Sequence, residues 1–474
     1  MNEATSNSCS RCAAAEAKVA AWEATVRELL VRIAKLEAEL AKAKKNSANS
    51  SKPPSSDVVK PPAAAPKAKG KRKRGAQLGH PKHERPAFPP EAVDDVWEYQ
   101  LPACPDCGGT VTPSGAAPRV LQQVEIVPHP VTVTEYRGLP CYCPRCRVTH
   151  FAPVDPAAAR AGLIGPRLTA VIAYLKGAGH ASFSTIRKFV RDVLGVTISR
   201  GHLAKLIAKV SQSLAPAYEE LLAELPTQPR LHVDETGHKD AGAAMWTWCF
   251  RASLFTLFKI DPSRGADVLL ETLGREFDGV LGCDYFSAYR RYMRETGVLV
   301  QFCLAHLIRD LKFLAEHPDA RNRAYGRRVL GAARDLFGLI HRRATLSAAA
   351  FAAQLEDAGN MLWGQAVYRV PATAEAHNLA RRFEKHGESY IRFVTTPGVE
   401  PTNNLAEQAI RFVVLDRKVT QGSRGAAGQR WLERIWTVVA TCAQQGRSVF
   451  AFLCEAVHAL LHGQPAPSLL PNTS

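Results

Sequence analysis

The 474 residues suit three or four domains, and an apolar content of 46% excludes a wholly disordered chain. No run of 18 uncharged apolar residues occurs, and acids and Lys are scattered through the first 30 positions, so neither a membrane span nor a signal peptide is expected and the chain reads as cytoplasmic. Sixty-one Lys and Arg against 44 acids give a net charge of +17, which points to a polyanionic partner, with nucleic acid first.

Val19, Trp22, Val26, Leu29, Ile33, Leu36 and Leu40 repeat in 3-4 steps, a heptad seam that predicts a parallel two-stranded coiled coil over residues 13–45 and hence a homodimer or higher oligomer. Residues 46–90 then form a basic linker rich in Pro, Ala, Ser and Gly. Between Lys42 and Arg85 there are 13 Lys and Arg against Asp57 and Glu84, densest at Lys71, Arg72, Lys73 and Arg74, as suits nonspecific phosphate contact.

Twelve cysteines without a secretory signal suggest a reducing compartment, where paired cysteines hold metal more often than they form disulfides. Cys104-Pro-Asp-Cys107 and Cys143-Pro-Arg-Cys146 have the spacing of two zinc knuckles. Val120–Val127 and Val131–Tyr136 alternate between them like the arms of a hairpin bent at Pro128 and Pro130. A zinc ribbon holding structural Zn²⁺ is expected over residues 91–155; Cys141 and the pair Cys9 and Cys12 are left out of it. Residues 156–227 read as helical. Within them Ser184–Leu194, a Gly195 turn and a Ser199-capped second helix carrying Arg200 and Lys205 resemble a helix-turn-helix.

The period then changes. Arg230–Glu235 reads as a strand ending at an acid, Met245–Arg251 and Leu254–Ile260 as two more strands, and Ala266–Glu276 as a helix. Gly279–Asp284 repeats the strand-then-acid design, Leu299–Cys303 is a fifth strand, and Ala305–Leu314 is a helix. The order βββαβαβα is that of an RNase H-like core, a mixed five-stranded sheet with helices in a multidomain α+β chain. It is expected in two parts, residues 228–320 and 396–445, around an α-helical insertion at 321–395, with a C-terminal helix and tail at 446–474. The third acid is expected from a helix N-capped by Asn403, where Glu407 is the best candidate and Glu384, Glu388 and Glu400 are rivals. Carboxylates converging on a sheet edge repel one another unless they hold hard cations, so Asp234, Asp284 and Glu407 predict a two-metal site for Mg²⁺ or Mn²⁺.

Val233-Asp234-Glu-Thr, Cys283-Asp284-Tyr-Phe-Ser-Ala-Tyr289 and Thr402-Asn-Asn-Leu-Ala-Glu407-Gln-Ala-Ile-Arg411, leading to Arg417-Lys418 and Gly422-Ser423, resemble the bacterial insertion sequence 66 family of DDE transposases from about residue 16 to residue 440. The resemblance implies binding of terminal inverted repeats, cleavage of DNA by Asp234, Asp284 and Glu407, and joining of the freed 3′ hydroxyl to target DNA, with other proteins of the same mobile element as possible partners. Cys303-Leu-Ala-His306 resembles a pair carried by several transposase families, which brings His306 toward the site. Arg411, Arg417, Lys418 and Arg424 are candidate DNA phosphate contacts. Two other readings fit the same residues: a noncatalytic, domesticated zinc-ribbon DNA-binding protein, and an RNase H-like nuclease that does not transfer strands.

Overall fold

The computed structural model describes residues 10–46, 86–112, 116–128 and 130–471. Cys9 and the basic cluster Lys71, Arg72, Lys73 and Arg74 lie outside the described residues. The chain divides into two compact units, one of residues 62–135 and the other of residues 1–61 and 136–474.

In the first unit the described residues form a short turn of 3₁₀ helix at Pro90–Ala92 and no strand. The hairpin arm expected at Val120–Val127 is therefore absent, as is its partner at Val131–Tyr136. The reason is visible in the side chains. Val120, Leu121, Val124, Ile126 and Val133 are all exposed, so the alternation has no apolar face to cover. The Gln122 amide instead clasps Phe88, accepting from its N–H at 2.7 Å and donating to its carbonyl at 3.0 Å.

The second unit starts with helix α1 (Ser10–Ala43). Its seam residues Val19, Trp22, Val26, Leu29, Ile33, Leu36 and Leu40 are exposed. A small hairpin follows, β1 (Pro140–Cys143) and β2 (Val148–Phe151), antiparallel with Cys143 opposite Val148. Next come α2 (Pro156–Ala161), α3 (Pro166–Gly177), α4 (Phe183–Asp192), α5 (Arg200–Ser213) and α6 (Ala215–Glu224). Ser182 caps α4 by accepting the Thr185 N–H, and Ser199 caps α5 by accepting the His202 N–H. Leu203, Leu206, Ile207 and Val210 give α5 a buried stripe at helical spacing.

The central sheet contains β3 (Arg230–Asp240), β4 (Ala243–Arg251), β5 (Thr256–Asp261), then β6 (Val280–Cys283) after α7 (Ala266–Leu273), and β7 (Leu299–Phe302) after α8 (Ser287–Thr296). Their spatial order is β5-β4-β3-β6-β7, with antiparallel pairing on the β4 side of β3 and parallel pairing on the β6 side. β3 does not end at Asp234 as its sequence suggests. It runs six residues further because Glu235–Asp240 pair with Ala243–Trp248 across a tight turn in which Ala241 and Gly242 both have positive φ.

Helices α9 (Leu304–Ala315), α10 (Ala320–His341), α11 (Ala348–Val367) and α12 (Ala374–Thr395) come next, then α13 (Asn404–Thr420), α14 (Ala426–Gln445) and α15 (Val449–His462). α14 seals the open edge of β5. Glu433, Thr437 and Thr441 stand four residues apart on one helix face and accept the N–H groups of Ile260, Phe258 and Thr256 at 2.7, 3.1 and 3.1 Å. Four helical residues rise about 6 Å and two strand residues about 6.6 Å, so the match holds over three rungs and leaves that edge no free ladder. α15 packs on α3 and α5, and Arg160 donates to the Leu461 carbonyl at 2.7 Å, so the C-terminal helix completes the helical layer formed by α2–α6.

Candidate active site

The parallel register of β3 with β6 pairs His232 with Gly282. β6 ends at Cys283, so Asp284 stands one residue past its C-terminal end, beside the strand that carries Asp234. Asp234 Oδ1 accepts the Glu235 N–H at 2.9 Å and Asp284 Oδ1 accepts the Phe286 N–H at 2.8 Å, which orients both carboxylates.

Glu407 arrives on α13, which is tied to β3 at both ends. At the N-terminal end Asn403 occupies the cap position, but its side chain does not bond the helix as a cap would. It reaches across to β3, donating to the Val233 carbonyl at 2.8 Å and meeting His232 Nδ1 at 3.2 Å, while its own N–H points at Cys303 Sγ at 3.2 Å. At the C-terminal end Ser423 exchanges backbone hydrogen bonds with Lys239 and Ala241, and its hydroxyl donates to Asp240 at 2.8 Å. Gly422 is required there: φ is +91° and an added Cβ would sit 2.1 Å from the Lys239 carbonyl oxygen. Seventeen helical residues span about 25 Å, close to the length of β3 from Val233 to Asp240, so α13 runs along the strand between the two ties.

The electrostatics follow from this packing. Burial, then the charges of Glu235, Asp284 and Glu407, push the Asp234 carboxyl well above the ordinary range. Asp284 is pushed up to about 7, by burial first and Glu235 next, while the Phe286 N–H and Arg264 hold it down. Glu407 Oε1 is buried without a hydrogen-bond donor; His306 Nδ1 lies 3.7 Å from it and the Arg309 guanidinium 4.0 Å. Carboxylate oxygens that repel one another, one of them unpartnered, are a donor set that fits hard divalent cations. Cys303, His306 and Glu407 also bring one potential ligand atom each within 4.8 Å of one another. His306 thus stands beside Glu407, and burial lowers its pKa to about 4 and keeps the ring neutral.

Of the candidate phosphate contacts, Arg417 is half-buried and donates to Thr236 at 3.3 Å, two residues along β3 from Asp234. Arg411, Lys418 and Arg424 are exposed, and so is Lys205 on α5; Arg200 donates to Ser184 at 2.6 Å. The rivals Glu384 and Glu388 lie on α12 and are exposed.

Sequence reasoning passed over Glu235. Its neighbour Asp234 faces α13, so Glu235 faces the other side of β3, where it is buried and takes two hydrogen bonds from Arg264, at 2.8 and 2.7 Å, and one from the Tyr289 hydroxyl. The strand alternation itself was the signal: an acid in the buried phase of a strand needs a cation.

Each cysteine knuckle lies within one unit. At the first, the Gly108 N–H bonds the Cys104 carbonyl at 2.9 Å, Gly108 has φ +73°, and N–H groups of Asp106 and Cys107 lower the Cys104 thiol pKa. At the second, N–H groups of Cys146 and Arg145 lower the Cys143 thiol pKa in the same way. N–H groups aimed at sulfur favour thiolate, the form that binds zinc.

The family model described as Transposase IS66 family matches residues 161–430, and a family of unknown function matches residues 2–86. Two proteins of Sinorhizobium fredii, uncharacterized proteins y4qI and y4jD, are each 24% identical, over 415 and 406 residues. The alignments cover 80% and 78% of this chain and 74% and 77% of those proteins. No helix among the described residues is long and apolar enough to cross a membrane. With more than half its length matched, from α3 through the start of α14, the chain belongs to the transposase IS66 family.

Proposed function

We propose that this transposase binds the terminal inverted repeats of its element, hydrolyses a phosphodiester at each end, and joins the freed 3′ hydroxyl to target DNA. The sheet order β5-β4-β3-β6-β7 supports an RNase H-like core. The observation that carries the reading is the parallel pairing of β3, which bears Asp234, with β6, which Asp284 directly follows, with Glu407 close enough to raise both of their pKa values.

In this reading Asp234, Asp284 and Glu407 hold two Mg²⁺ or Mn²⁺ ions, which when bound supply charge stabilisation for in-line displacement at phosphorus. The Phe286 and Glu235 N–H groups keep the aspartates oriented. Asn403 fixes where α13 presents Glu407, and the Arg264–Glu235–Tyr289 group braces β3 from its other face. In the first step a water oxygen bonds to phosphorus and the DNA 3′ oxygen leaves; in the second that 3′ hydroxyl attacks a target phosphate and a target 3′ oxygen leaves. The pair Cys104 and Cys107 and the pair Cys143 and Cys146 each supply thiolates for structural Zn²⁺, α4 and α5 form a helix-turn-helix, and α1 pairs with a second copy.

Asp284→Asn is expected to abolish strand cleavage in Mg²⁺ on DNA carrying the terminal repeats while binding persists. Cleavage retained by that variant removes the assignment. Wild-type products that are cut but never joined to target identify a nuclease instead.

A further inference from the structure

α7 and α8 both begin at the sheet edge where β6 ends and Asp284 stands. Between their first turns lies an open cavity of about 560 Å³, lined by Arg264, Phe286, Ser287, Arg290, Arg291 and Arg294 among others. Four guanidinium groups on one cavity are costly to assemble unless something negative compensates them.

Their partners differ. Arg264 is bound to Glu235 and sits over the Phe286 ring at 3.9 Å, and Arg291 is paired with Asp267 and Glu295. Arg290 has no acidic partner among the described residues; it lies over the Tyr285 ring at 4.5 Å, and its Nε is buried with no hydrogen-bond acceptor. Arg294 is exposed and likewise has no described acidic partner. The positive field reaches α12 too, because Arg290, Lys385 and Arg382 all act to lower the His386 pKa after burial has done so. Neither α7 nor α8 has a side-chain cap, so their first N–H groups also face this edge.

We propose that this cavity binds the sugar–phosphate backbone of the DNA strand lying across Asp284, with Arg290 and Arg294 each contacting a phosphate. The proposal rests on the reading of Asp284 as an active-site residue. The fit is geometric: Phe286 is both a wall of the cavity and the donor to Asp284, and Arg264 joins the same wall to β3. Planar guanidinium forks suit phosphate oxygens, and the flat Tyr285 ring beneath Arg290 holds that guanidinium in place.

The test is binding without chemistry. Full-length protein is titrated with double-stranded DNA without added Mg²⁺ or Mn²⁺, over a series of salt concentrations, for wild type and Arg290→Gln/Arg294→Gln. Each lost phosphate contact should reduce the salt slope of binding by about 0.9. Hydrogen exchange should show DNA-dependent protection of residues 287–296 in wild type and none in the variant. Because Arg294 is exposed, Arg294→Glu alone gives the same reading in a protein whose fold is undisturbed. An unchanged slope together with no protection at α8 overturns the proposal. The Asp284→Asn cleavage result is independent of both, so failure of the active-site reading is told apart from failure of this one.

Discussion

His238 shows how a single ring can make stability depend on pH. It is 3% exposed, with Nε2 3.1 Å from the Ser423 hydroxyl, Nδ1 unpartnered and the ring edge-on to Trp436 at 5.9 Å. Burial, reinforced by Arg417 and opposed by Asp240, lowers its pKa from 6.5 to about 4. The unfolded chain takes up this proton first as pH falls, so the stabilisation is present above pH 6.5 and is lost as pH drops toward about 4. A shift of that size corresponds to a loss on the order of 3 kcal/mol. His238→Gln should keep the bond to Ser423 without the titration, so denaturant unfolding across that range should weaken less in the variant than in wild type. Parallel pH profiles would refute this account.

At the scale of elements, the decisive contact is α13 on β3. Asn403→Ala removes the donor to the buried Val233 carbonyl and the partner of His232, which should cost about 1–3 kcal/mol of stability. If Asn403 sets the position of Glu407, strand cleavage per folded molecule should also fall while DNA affinity measured without metal stays the same. Equal cleavage by folded variant and wild type would reduce Asn403 to a purely structural role. The strands around this contact were legible in the sequence because acids stand at β3 and β6 after apolar runs, and the change of period at Arg230 is sharp. What was not legible were long-range partners. That Asn403 bonds a strand 170 residues away instead of its own helix depends on α13 lying along β3, and no local pattern encodes it. The extension of β3 past Asp234 likewise depends on its pairing with β4. Alternation at Val120–Val127 misled for the converse reason: a period-2 pattern specifies a strand only where something covers its apolar face.

At the scale of the whole molecule, the apolar stripe on α1 is the surface that a single chain leaves uncovered. Val19, Val26, Ile33 and Leu40 alternate with Trp22, Leu29 and Leu36 along one face, and each remains exposed. The tail of the helix is anchored, since Lys42 pairs with Glu375 at 3.0 Å, yet among the described residues the seam side chains stay exposed. A transposase of the proposed kind must hold two DNA ends at once, and a parallel pairing of α1 would bring two active sites together while burying that seam. Three heptads give a modest interface, so association should depend on concentration within the range accessible to analytical ultracentrifugation. Ile33→Asp places a charge at a central a position of both chains, where burial and mutual repulsion oppose pairing. The dimer dissociation constant should rise at least about tenfold, equivalent to about 1.4 kcal/mol. Asp284→Asn, which leaves the seam intact, should associate like wild type. Equal molecular mass for wild type and Ile33→Asp at every concentration would mean that α1 does not pair the chains, and the two DNA ends would then have to be brought together by another surface.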